Sequence, residues 1–186
     1  MTRHLRTSAV FLAFCLSTLG SAIADEFEPF IGTYVGRAQV LGSDGEVTEE
    51  RDMDITIAED RGDSFRITWV NVTLVDGRRD VPGVRRRVDE IILEPSDRDG
   101  VYLEETQRSL FERREEVDVI DGDALRWARI DGERLGVFSL VVTANGGYEM
   151  QSYERILTED GLGIEFNRVR NGEVIRRIVG RTIRVD

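Results

Sequence analysis

Eight Asp-Gly and Asn-Gly dipeptides punctuate this chain, and they constrain its fold more than any other feature. Asp-Gly stands at 44–45, 76–77, 99–100, 121–122, 131–132 and 160–161, and Asn-Gly at 145–146 and 171–172. These residues tolerate the positive φ that both central positions of a tight hairpin turn demand, which makes the pairs the strongest short-range hairpin signal. Gly62-Asp63 marks a ninth turn. The segments between are rich in Val, Ile, Thr, Phe and Tyr, and none shows a sustained 3.6-residue apolar period. The spacing predicts ten strands, at 32–42, 46–58, 64–75, 84–94, 101–107, 124–130, 134–144, 147–157, 162–170 and 173–185. A helical turn is expected at Glu26–Phe30. Residues 107–115 are a second helical candidate, and 109–119 could instead add a strand through Leu110, Phe111, Val117 and Val119.

Short connections require antiparallel neighbours. Long strands without crossovers favour an up-and-down barrel over a sandwich, because closure leaves no free edge. The expected fold is therefore all-β, a single antiparallel barrel domain spanning 25–186. A membrane barrel would need an apolar outer band. Here Thr48, Glu50, Asp52 and Asp54 share one face of a strand while Met53, Ile55 and Ile57 share the other. That pattern puts water outside and core inside, since acids facing lipid are costly.

The first residues read as an address. Arg3 and Arg6 precede an apolar run, Ser8–Leu19, and Ala22-Ile23-Ala24 offers a small-x-small cleavage site. This is the layout of a secretory signal peptide covering 1–24, cut after Ala24. The run is too short to cross a bilayer, which needs about 20 residues. The protein is expected in the periplasm or outside the cell.

Removing that leader changes the available chemistry. The chain has 36 acids and 25 bases, every base is arginine, and its single histidine and cysteine are His4 and Cys15. Residues 25–186 thus hold no imidazole, thiol or amine side chain. This excludes histidine bases, cysteine nucleophiles, lysine Schiff bases, disulfides and imidazole or thiolate metal sites. Carboxylates alone could catalyse, but Glu104-Glu105 and Glu115-Glu116 would point to opposite faces of a strand. Asp118, Asp121 and Asp123 read either as a loose Ca²⁺ site or as a hydrophilic turn. The expectation is a protein that is not an enzyme and has no cofactor or metal. A net charge of −11 argues against nucleic acid or an anionic membrane as partner.

Pattern phase gives a candidate interior. Gly32, Tyr34, Gly36, Ala38 and Val40 share the inner face of the first strand, and their small size suggests room in the lumen. Phe65, Ile67 and Trp69 share a face, as do Leu162, Ile164 and Phe166. The segment Phe30-Ile31-Gly32-Thr33-Tyr34-Val35-Gly36 follows a helical turn and opens a ten-strand meander. It resembles the first strand of calycin-type barrels, which include lipocalins, fatty-acid-binding proteins and nitrobindin-like domains. Lipocalins carry Gly-x-Trp here, with a late-strand arginine across the Trp. The resemblance implies that Tyr34 takes the Trp position as a plug at the closed end, with Arg181 or Arg184 as its partner. Two departures limit what carries over. Nitrobindin-like domains hold haem through a histidine, which residues 25–186 lack, and the Arg-x-Tyr carboxylate clamp of fatty-acid-binding proteins is Arg181-Thr182-Ile183 here.

If the first strand runs upward from Tyr34, the turns at 43–46, 76–83, 145–147 and 171–172 all reach the upper mouth. Glu49, Arg51, Asn71, Arg168 and Arg170 then lie on or near it, with Arg78, Arg79, Arg85, Arg86 and Arg87. Such arginines could steer an anionic headgroup into an apolar lumen, or simply pair with surface acids. Trp69, Trp127 and Phe166 could line that lumen or serve as ordinary core. The reading is an exported soluble barrel binding a small apolar, fatty-acid-like or amphipathic anionic ligand. The alternative is an envelope interaction or structural protein whose barrel is filled by Trp69, Trp127, Phe138 and Phe166. Lumen volume separates the two.

Overall fold

A computed structural model describes residues 26–105 and 117–186. The strands are β1 (Gly32–Leu41), β2 (Val47–Glu59), β3 (Phe65–Thr73), β4 (Arg85–Pro95), β5 (Val101–Glu104), β6 (Leu125–Asp131), β7 (Arg134–Val142), β8 (Tyr148–Leu157), β9 (Gly161–Arg170) and β10 (Glu173–Arg184). Each pairs antiparallel with its chain neighbours, and β10 pairs with β1 to close a ten-strand barrel. The strand ends fall within a residue or two of those expected, except that β5 stops at Glu104. The expected leader lies outside the described residues, as does most of the 107–119 segment.

The turns work by two routes. At 76–77 and 171–172 both residues take positive φ, with Asp76 and Asn171 at +50°, Gly77 at +71° and Gly172 at +88°. At 44–45, 99–100, 121–122, 131–132 and 145–146 only the glycine does, and at 160–161 neither residue does. Longer loops can reverse the chain with one left-handed glycine, and the two-residue Gly132-Glu133 loop needs positive φ only at its first position.

The β1–β10 seam is tight. A Cβ on Gly36 would fall on the Arg181 carbonyl, and one on Gly180 would sit 2.7 Å from the Arg37 carbonyl. The small inner residues of β1 therefore let a neighbouring strand approach closely, and they do not border the lumen space as the pattern had suggested.

One end of the barrel is sealed by rings. A 3-10 turn (Glu28–Phe30) drops Phe27 and Phe30 into the interior. Phe27 stacks on Phe65 with centroids 4.9 Å apart, and Tyr102 meets Phe65 edge-on at 5.0 Å. Ile57, Ile67, Leu93, Leu135 and Leu162 pack beside them, fully buried. At about 1.5–3 kcal/mol for each such side chain, this end carries much of the hydrophobic stabilisation. Tyr34 is fully buried here and donates to the Phe30 carbonyl at 2.8 Å. Its cationic partner is Arg184, which also donates to the Pro29 carbonyl at 2.8 Å. Arg181 is not part of the plug: it pairs with Asp160 at 2.8 Å on the outer wall. Strand alternation decides between the two arginines, because Arg184 shares the inner face of β10 with Ile178 and buried Thr182.

Candidate functional site: an arginine-lined lumen

The opposite end is open. The β1–β2, β3–β4, β7–β8 and β9–β10 turns gather there, as the strand parity predicts. A cavity of about 730 Å³ enters the barrel between β2–β4 on one side and β8–β10 on the other. Of the expected site residues, Arg51, Trp69, Asn71, Phe166 and Arg168 line it. Arg85, Arg86 and Arg87 line it too. Arg170 stands beside it, bonded to Glu149 at 2.9 Å. Arg78 and Arg79 pair with Asp80 at 3.0 Å and Asp52 at 2.7 Å, as surface ion pairs outside the lining.

Trp127 does not belong to the site. It alternates with buried Ala128 and Ile130, so it faces outward, where it stacks on Phe138 at 5.3 Å. Apolar character alone had suggested the inside. The lumen is also less apolar than expected: seven arginines and two carboxylates contribute to its lining.

Arg155 of β8 was not anticipated. β8 mixes polar and apolar residues on both faces, so its phase is unreadable in isolation. The neighbouring hairpin held the signal: β9 turns Ile164 inward, and the register pairs Ile164 with Arg155. Arg155 is only 3% exposed. Its guanidinium lies 5.5 Å from the centre of the Trp69 ring. Nη1 donates a long 3.4 Å bond to the Tyr153 carbonyl, and Nε is buried with no partner. No described carboxylate lies within ion-pair distance of it. Burial pushes its pKa down to about 10, below the ordinary guanidinium value. The adjacent Glu154 belongs to the opposite phase of the strand yet reaches the cavity lining, where its charge partly offsets the effect of burial on Arg155; it lies 3.7 Å from Arg134.

Most other cations here are already matched. Asp89 accepts from Arg87 at 2.8–3.0 Å. Glu49 pairs with Arg51 and, at 3.8 Å, with Arg85. Glu149 accepts from Arg168 at 2.7 and 2.8 Å, and from Arg170 and Gln151. The Arg168 bond, helped by Arg170 and Gln151 and opposed by burial, holds the Glu149 carboxyl at about 2. The Tyr153 hydroxyl donates to Gln151 at 3.1 Å and extends this network into the lumen. Arg86 and Arg176 line the cavity with no ion pair to a described residue.

Chemically, the site offers guanidinium donors around an aromatic belt. Trp69 and Tyr153 lie 5.8 Å apart, and Tyr153 and Phe166 4.5 Å. Guanidinium groups suit planar oxoanions, which they bind bidentately. In the 118–123 loop, Asp118 and Asp123 accept backbone N–H groups of their own turn. No protein-family model matches the chain, and no curated protein matches it. Among the described residues, no helix is long and apolar enough to cross a membrane.

Proposed function

We propose that this chain is an exported, calycin-like, non-enzymatic barrel that binds a small amphipathic anion in its lumen. The observation that carries the reading is Arg155, a buried guanidinium at an aromatic-lined cavity with no ion-pair partner among the described carboxylates. A buried charge held this way is destabilising unless something compensates it, and an anionic ligand would do so. The cavity, about 730 Å³, falls within the usual 300–1,000 Å³ of small-molecule sites. The rival, a filled barrel, is disfavoured because Trp69 and Phe166 border this space instead of closing it. Carboxylate catalysis is disfavoured because Asp89 is bonded to Arg87, and Glu154, the other acid of the lining, lies 3.7 Å from Arg134.

The reading is tested by native mass spectrometry of the purified protein, followed by titration with decanoate, dodecanoate and lysophosphatidate. The expected result is a copurifying or added anion bound one to one, with Arg155→Met weakening it at least tenfold. No binding by any of these anions would overturn the reading. Export is tested separately, by an amino terminus at Asp25 in the periplasmic or secreted fraction.

A further inference from the structure

The lumen is layered along its axis. Its inner tier holds Arg155, and its middle tier the rings of Trp69, Tyr153 and Phe166. Toward the mouth stand Arg176 and Arg86, without ion pairs to described residues. The β-register fixes the separation of the two cationic tiers. Arg155 pairs with Ile164, and Arg176 pairs with Arg168, four residues further along β9. At about 3.3 Å per residue that is ~13 Å of backbone.

Resting on the lumen reading above, we propose that the ligand is two-ended: an anionic group on Arg155, an apolar middle on the rings, and a second anionic group at Arg176 and Arg86. A molecule with a single acid fits this sequence of tiers poorly. Entering acid-first, it leaves an apolar tail against unpaired guanidinium groups at the mouth. Entering tail-first, it presses that tail onto Arg155 and removes what hydration the buried charge retains. Only a molecule charged at both ends satisfies both tiers while its middle covers the aromatic belt. The two carboxylates of the lining do not replace the inner anion: Asp89 is held by Arg87 at 2.8 Å, and Glu154 lies 3.7 Å from Arg134 and outside ion-pair distance of Arg155.

Calorimetric titration of the purified protein tests this with matched pairs: sebacate against decanoate, and dodecanedioate against dodecanoate. At least one dicarboxylate should bind about tenfold or more tightly than its monocarboxylate, the factor expected from one further charge-assisted hydrogen bond. Arg176→Gln, on an exposed position that leaves folding intact, should bring that ratio toward one. Equal affinities within every pair would overturn the two-ended ligand and leave anion binding in the lumen standing. Heat from neither member of any pair would overturn both.

Discussion

The guanidinium of Arg184 lies 5.2 Å from the centre of the Tyr34 ring and donates to its hydroxyl at 2.5 Å, joining the end of β10 to the start of β1. The hydroxyl in turn donates to the Phe30 carbonyl. Tyr34→Phe removes both bonds in a fully buried setting, and should cost about 1–3 kcal/mol. Arg184→Met should cost about 1 kcal/mol through the lost ring contact. Urea midpoints of the two variants and their double mutant should show coupling, since the residues share one interaction.

Arg155 should have the opposite effect on stability. Its folded-state pKa, about 10, lies below the ordinary guanidinium value, so the charged form opposes folding at neutral pH. That opposition is relieved only as pH rises above about 10, where the unfolded chain binds more protons than the native one. Arg155→Met should therefore keep or raise the unfolding free energy at neutral pH, by up to about 4 kcal/mol, when no ligand is present, as read from urea denaturation. The same variant should lose anion binding, separating stability from function at one position.

Glu149 sets an acid limit. Its folded-state value of about 2 lies below the usual 4.5, chiefly through the bond from Arg168. A carboxyl lowered in this way stabilises the fold above about pH 4.5, and the contribution is lost as pH falls toward 2. Chemical denaturation across that window should show stability declining with acid. Glu149→Gln should flatten the decline and lower stability at neutral pH, because Arg168 and Arg170 lose their shared partner.

The two tryptophans should report different surroundings. Trp69 lines the lumen with its ring against the Arg155 guanidinium, and Trp127 stacks on Phe138 outside. A lumen ligand should change the emission of Trp127→Phe, which retains Trp69, and leave that of Trp69→Phe unchanged. Equal responses from the two variants would place the ligand elsewhere.

Much of the architecture was legible because turn chemistry is local. The residues of an Asx-Gly turn act on their own backbone, so strand boundaries and the parity that gathers alternate turns at one mouth both follow from sequence. Inner faces were legible only where one face is plainly apolar, as at Phe65, Ile67 and Trp69, or Leu162, Ile164 and Phe166. Trp127 misleads because the smaller Ala128 and Ile130 take the inner face of β6. Arg155 could not be found from β8 by itself, since burying an arginine contradicts the rule that assigns faces. It becomes visible once β9 fixes the phase of its partner. The choice between Arg181 and Arg184 needed the same step, reading one strand's phase through another.

Asp186 accepts the Thr33 backbone N–H at 2.9 Å, which fastens it beside the start of β1 at the ring-sealed base. A linker joined after Asp186 would leave from that base, away from the arginines of the lumen. Bead or sensor-chip immobilisation through such a linker would hold the molecule by its foot with the opening turned toward solution.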